Sequence, residues 1–455
     1  MYSTYMIPHT VNDKQMLNIL TNAIKSVYAS VYYKSSKSYM RVTSSVIDEE
    51  KMSIILQEVC GQQYGDRYYP TLSGVVRSIN FYPIEPEKPE DGVANICLGL
   101  GKQIVEGGRT LRFSPKYPKK ILQLSDTALT LRDSQKTFFA LDLNAESFVP
   151  SPDESINLLK LRIKEAEKDG SLKYVASVYD YADNTIKEGA HYEGKKIVTF
   201  ANILKFDAYP LAEILSKVSE ITQNAMNSPV EIEFAMNIPK KSNEPAVFNL
   251  LQVRPIVDNS QSLTTNLEEI NENDTIIYSK QALGNGEIND LYDIVYIKTE
   301  SFDPSKNPQI VNMIADINNK FLNEDKNYIL IGPGRWGSND HWLGIPVKWA
   351  DISEAKVIIE AGLPNYRIDP SQGTHFFQNL TSFRVGYLTL NPYADDGHYD
   401  VDFLNKIEAV SENEYLRHIH FEEPLVVKID GKKNLGLIME KKKIQKEEEY
   451  FGESF

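Results

Sequence analysis

The chain has 455 residues, 42% hydrophobic and 25% charged, an ordinary globular balance with room for about three domains of usual size. No stretch approaches the roughly 20 consecutive apolar residues of a membrane-spanning helix, and Met1–Met6 lacks the basic residue ahead of an apolar run that marks a secretory leader. A formal charge of -14 repels a nucleic-acid backbone, and the two cysteines, Cys60 and Cys97, have no CxxC spacing, so the expectation is a cytoplasmic protein with buried thiols and neither nucleic-acid nor membrane partners.

In chain order, an amphipathic helix is predicted over 12–33, where Leu17, Leu20, Ile24, Val27 and Val31 recur at helical spacing behind Asn12 or Asp13 as cap. Strands are predicted at Met52–Val59, Gly74–Ile79 and Ala94–Leu98, separated by turn-rich sequence. Behind Gly99, Gly101, Gly107 and Gly108, the cations Arg109, Arg112, Lys116, Lys119 and Lys120 fall close together, as either a solvated face or an anion site. A helix over Glu154–Lys168, ended by Asp169-Gly170, and a strand over Lys173–Tyr179 follow. The clearest helix comes after Asp207: Pro210 stands near its first turn, Leu211, Ile214, Leu215, Val218, Ile221 and Ala225 form one stripe, and Asn227 and Pro229 stop it.

The next two segments carry the chemistry. Side chains alternate along a strand, so Glu231 and Glu233 share one face of the first segment, and Gln252 and Arg254 share one face of the return segment. Joined by a loop over Asn237–Pro245, the two pair antiparallel and set carboxylate, amide oxygen and guanidinium side by side. That set suits a magnesium nucleotide, because a hard cation takes oxygen ligands and a guanidinium neutralises phosphate oxygens. A hairpin with one solvent-facing side has the same alternation.

A polar stretch from Asp258 to Asn273 without periodicity reads as a linker, dividing the chain into 1–258, 274–439 and a charged tail over 440–455. Beyond the linker, strands are expected at Asp290–Lys298, Tyr328–Ile331 and Lys356–Glu360, and a helix over Gln309–Leu322. A hairpin follows, with Leu425–Ile429 and Leu435–Met439 around Asp430-Gly431. The glycine-rich run Gly332-Pro333-Gly334-Arg335-Trp336-Gly337 reads as a structural turn or an anion loop. In Ser371–Phe377 a Gly-Thr turn presents His375 as a candidate nucleophile. His9, His191, His398, His418 and His420 read as surface or packing residues; His418 and His420 alternate on one strand without a third metal ligand.

Glu231–Ala235 followed by Leu250–Pro255 resembles the end of the ATP-grasp domain in the phosphoenolpyruvate synthase and pyruvate phosphate dikinase family. Ile54–Val59, Ser73–Val76 with Asn80–Pro83, and Gly99–Gly108 resemble upstream segments of that domain in the same order, so the likeness covers residues 45–257. The resemblance implies an α/β (α+β) chain in which an incomplete ATP-grasp-like domain precedes a smaller α/β domain of the swivelling, phosphohistidine type. It implies ATP and Mg2+ as ligands, with Glu233 and Gln252 on the metal, Arg254 on phosphate as a catalytic group, Gln57 and Glu58 flanking adenine, and His375 as catalytic phosphocarrier. The glycine-rich opening and RSS…ED segment of the family are not found ahead of Met52, and no phosphoenolpyruvate-binding barrel follows the hairpin. The expectation is therefore an interior slice of a larger protein or a gene that has lost its start, whose ATP site is completed by a missing N-terminal part or a separate catalytic domain. The function it implies is an ATP-dependent phosphotransferase (kinase) passing phosphoryl from Mg-ATP to a histidine. The alternatives are a non-catalytic nucleotide-binding or interaction module and a truncated, inactive product.

Overall fold

The computed structural model describes residues 4–33, 36–37, 53–81, 83–144, 149, 151, 156–239, 244–256, 267–366, 376, 380, 385–394, 396–431 and 433–441. By packing, the chain divides into two compact units, Met1–Ile256 and Val257–Phe455. The organisation is α+β, with several separate sheets and one large mixed sheet, as an ATP-grasp-like fold requires.

Unit 1 opens with a helix over Asp13–Ala29, started where Asn12 Oδ1 accepts the Gln15 amide at 3.1 Å. Twelve strands follow: β1 (Gln62–Tyr64), β2 (Arg67–Tyr69), β3 (Leu72–Arg77), β4 (Val93–Cys97), β5 (Leu111–Phe113), β6 (Thr137–Asp142), β7 (Leu158–Arg162), β8 (Ala176–Asp180), β9 (Thr185–Lys187), β10 (Lys195–Val198), β11 (Val230–Asn237) and β12 (Val247–Pro255). They form three antiparallel sheets, ordered β1-β2-β6-β7, β10-β8-β9 and β12-β11-β3-β4-β5.

The five-stranded sheet positions the site. Leu72 and Val76 of β3, Ala94 and Ile96 of β4, and Ile232, Phe234 and Met236 of β11 turn one face into the main core of the unit. Helix Leu211–Met226 buries Leu211 and Leu215 in that core and packs on β11, ending at Asn227 in the left-handed conformation (φ 50°). Gly74 lets β11 come close: a Cβ there would stand 2.2 Å from the Phe234 ring.

Three predicted elements are corrected. Residues 53–60 form no strand; no neighbouring strand pairs with them, and Ile55 and Leu56 are exposed, so apolar content alone misled. The segment read as one helix over Glu154–Lys168 contains strand β7 and then a short helix, Ile163–Lys168, because Leu158–Arg162 completes an antiparallel ladder on β6. The strand read at Lys173–Tyr179 begins only at Ala176.

Unit 2 contains β13 (Ile277–Ser279), β14 (Gln281–Leu283), β15 (Asn285–Ile297), β16 (Tyr328–Gly332), β17 (Arg335–Trp336), β18 (Gly344–Ile345), β19 (Ala355–Ala361), β20 (Gly386–Leu390), β21 (His398–Tyr399), β22 (Ala409–Glu412), β23 (Leu416–Asp430) and β24 (Leu435–Glu440). Ten of these make one sheet, ordered β14-β20-β19-β16-β15-β23-β24-β13-β21 with β22 on β23. β15, β16, β19 and β20 run parallel, and the connection between the first two is the helix Asn307–Glu324, whose Ile310, Ile314 and Phe321 form its buried stripe. The predicted hairpin is β23 and β24, paired from Leu425↔Glu440 to Asp430↔Leu435.

The glycine-rich run after β16 is fastened from within. Trp336 is fully buried, its indole N–H donates to the Ile359 carbonyl at 3.0 Å, and its backbone N–H donates to the Glu360 carboxylate at 3.0 Å. Gly332 leaves room for that ring, since a Cβ would lie 2.5 Å from it.

Candidate functional site

Cross-strand register gathers the charged residues. On β11, Glu231 lies opposite Arg254 of β12 and Arg77 of β3, while Glu233 lies opposite Gln252 and Val75. Further across the same face, Asn95 lies opposite Val75, and Arg112 opposite Asn95. One face of the sheet is thus apolar core, and the other carries this polar platform beside a small buried cluster of Val75, Cys97 and Ile104.

At the centre is Glu231, 3% exposed. Arg77 donates to its Oε2 through Nε at 2.7 Å and a terminal nitrogen at 2.6 Å; Arg254 donates to its Oε1 through Nε at 2.8 Å and a terminal nitrogen at 2.6 Å. Burial alone would raise this carboxyl, but the two guanidinium charges outweigh it and hold Glu231 below the usual carboxylate value. Glu233 is treated differently. Among the described residues its contact is the Arg254 terminal nitrogen at 3.3 Å, and burial lifts its carboxyl above the usual value, opposed by Arg254 and reinforced by the charge of Glu231.

A bulge shapes the platform. The β11–β12 ladder pairs Glu233 with Gln252 and then Phe234 with Leu250, so Leu251 is an extra residue on β12. Its carbonyl accepts the Gln57 side-chain amide at 3.3 Å, which brings Gln57 to the outer edge of the sheet, one residue from Gln252. Glu58 is exposed, and its charge helps to raise the thiol of Cys60 and the hydroxyl of Tyr68.

Glu231, Glu233, Gln252 and Arg254 are thus brought together, with Gln57 on the neighbouring edge. His375 lies outside the described residues. Arg77 was missed by sequence reading, although it ends the strand that carries the resembling Ser73–Val76 segment and its register decides its partner. Of the basic cluster, Arg112 is held by Glu87 at 2.6 Å and 3.0 Å, and Lys119 meets Asp207 at 3.3 Å.

In unit 2, His418 and His420 share one partner: His418 Nε2 is 2.8 Å and His420 Nδ1 3.0 Å from Asp293 Oδ1. Burial would raise the Asp293 carboxyl, but the two imidazole hydrogen bonds hold it below its usual value. Among the described residues no group of three or more His, Cys, Asp or Glu is disposed to hold a metal, and no helix is long and apolar enough to cross a membrane.

No curated protein matches the chain. Residues 1–275 are matched by the family described as pyruvate phosphate dikinase, AMP/ATP-binding domain, a stretch that contains all of unit 1 and every residue of the polar platform. Nucleotide binding is the property that this membership carries, and the chain belongs to the pyruvate phosphate dikinase AMP/ATP-binding domain family.

Proposed function

We propose that the polar platform of unit 1 binds ATP with Mg2+ and that the chain is a phosphotransferase. The carrying observation is the unequal treatment of the two carboxylates: Glu231 is neutralised by two guanidinium groups, whereas Glu233 is raised by burial and has one long contact. Magnesium is bound through one or two carboxylates together with phosphate oxygens, so Glu233 with the amide oxygen of Gln252 opposite it fits this ion without a larger acidic cluster. When bound, the ion supplies charge neutralisation at the phosphate oxygens.

Arg254 uses Nε and one terminal nitrogen on Glu231 and Glu233; among the described residues no partner holds its other terminal nitrogen, which on this reading donates to a phosphate oxygen. The double hold by Glu231 fixes the direction of the guanidinium before the ligand arrives, a preorganised charge of the kind that phosphoryl transfer uses. Gln57, fixed to the bulge carbonyl, and Glu58 flank the base. A lysine or arginine from a further segment or a separate domain completes the triphosphate site, and His375 is the acceptor of the phosphoryl group. A cytoplasmic setting belongs to the same reading, supported by Cys60 and Cys97 as free thiols.

Calorimetric titration with Mg-ATP tests the binding step. The wild-type chain is expected to bind, with at least tenfold weakening in both Glu233→Ala and Arg254→Ala; a wild-type chain that does not bind overturns the reading. Acid-labile phosphate on His375 after incubation with labelled ATP tests the transfer, and its absence in an ATP-binding sample removes His375 from it.

One observation favours a second reading. The Arg77–Glu231–Arg254 ion pairs tie β3, β11 and β12 together, which gives the buried charges a structural role that a non-catalytic module could keep. The same titration separates the two.

A further inference from the structure

Five cationic side chains line one cleft of unit 1, and none belongs to the five-stranded sheet: Lys136, Arg162, Lys164, Lys195 and Lys196. The fold brings them together from three places. Lys136 immediately precedes β6, Arg162 ends β7 opposite Thr137, the first residue of β6, and Lys195 opens β10. The cleft has a volume of about 270 Å³, and its one acidic lining residue is Glu167.

These charges are hardly compensated. Among the described residues, Arg162, Lys164 and Lys195 have neither an ion-pair nor a side-chain hydrogen-bond partner, and the Lys196 ammonium donates to a neutral oxygen, the Tyr192 carbonyl. Lys136, exposed but partly desolvated, also meets only neutral oxygens, donating to Ser134 Oγ at 2.8 Å and to the Leu131 carbonyl. Burial, and then the neighbouring charges of Arg109 and Lys195, bring its amine down to about 8, against a weak opposing pull from Asp133. In a chain of net charge -14, carboxylates are abundant, yet this cleft has gathered five cations against one carboxylate, Glu167. Such self-repulsion works against the fold and is relieved when an anion enters.

We propose that this cleft is a second ligand site of unit 1, which takes a compact phosphate-bearing anion carrying two or more negative charges. Its volume lies just below the roughly 300–1,000 Å³ of sites for drug-sized ligands, which suits a compact anion. Lysine ammonium groups act as point charges on phosphate, and a single guanidinium, here Arg162, grips two of its oxygens. The inference does not depend on the Mg-ATP reading, since the two sites share no residue.

The test is calorimetric titration of the full chain with pyrophosphate at low ionic strength and without Mg2+, with ribose 5-phosphate as a parallel arm to separate an inorganic from an organic source. Wild type is expected to bind one of the two, the double variant Lys136→Gln, Lys195→Gln to bind at least tenfold more weakly, and Arg254→Ala to match wild type. Thermal melting checks the fold; because the substitutions remove like charges, the double variant is expected to melt no lower than wild type. Three results overturn the proposal: no binding of either anion by wild type, equal binding by the double variant, or loss of binding in Arg254→Ala with retention in the double variant. The last would place the anion on the five-stranded sheet.

Discussion

Each unit buries a carboxylate among basic side chains, but to different ends. In unit 1, Glu231 divides its two oxygens between Arg77 and Arg254, and two residues along the same strand Glu233 has, among the described residues, only a 3.3 Å contact from Arg254. In unit 2, a single oxygen of Asp293 takes both His418 and His420, with Phe321 edge-on to the first imidazole and Tyr292 stacked on the second. Asp293 and its two histidines tie β15 to β23, each imidazole spending one nitrogen on the same carboxylate oxygen. The unit 1 group holds the hairpin and also presents an under-served carboxylate beside a fixed guanidinium. Burial of charge thus marks both places, and the imbalance within the cluster separates a binding surface from a clamp.

Glu231→Gln breaks this comparison most severely. It leaves the buried Arg77 guanidinium without its counter-charge, and removing one partner of a buried pair costs about 3–5 kcal/mol. Urea unfolding of unit 1 should show that loss; a change below about 1 kcal/mol would remove Glu231 from the centre of the network. Asp293→Asn comes next, with an expected loss of about 1–3 kcal/mol for a buried acceptor of two hydrogen bonds. Its pH signature has a definite sign. The folded carboxyl lies below its unfolded value, so the Asp293 contribution is full above the ordinary carboxylate range near 4 and is lost as pH falls through the lower folded value. Wild type should lose this part of its acid stability on that descent, and Asp293→Asn should not.

The smallest effect has the opposite direction. The Glu233 carboxyl is raised in the folded chain, so its penalty is complete above the raised value and fades as pH falls from there toward the ordinary range near 4.3. Glu233→Gln should therefore stabilise at neutral pH, by no more than about 1 kcal/mol, even as it weakens Mg-ATP. Equal losses in Glu231→Gln and Glu233→Gln would erase the distinction between the two carboxylates.

Local rules made part of this legible. Asn12 as cap, the Leu211–Met226 stripe and its stop at Asn227, and the alternation that sets Glu231 with Glu233 and Gln252 with Arg254 all depend on neighbours within a few residues. Arg77 was hidden because its partner is 154 residues away, and only the antiparallel register of β3 on β11 joins them. Two of the three misread segments, 52–59 and 154–168, failed for one reason: whether a short apolar run becomes a strand depends on a ladder partner elsewhere in the chain. The Asp293 pair was likewise invisible, since His418 and His420 alternate as expected but their acceptor comes from β15.

The extra residue at Leu251 decides more than local twist. Phe248 and Leu250 on one side of it and Val253 on the other line up with Met236, Phe234 and Ile232, so β12 changes parity at the bulge and sends Gln252 and Arg254 to the platform. Without that change, residues 248, 250, 252 and 254 would all face the core. Deleting Leu251 would straighten β12 and still leave Gln252 opposite Glu233 and Arg254 opposite Glu231, because the residue lost is the one that the ladder skips. The charge set of this surface thus depends on Leu251 being left out of the ladder: pairing it in the place of Gln252, rather than losing it, is what would carry the amide and the guanidinium to the core face.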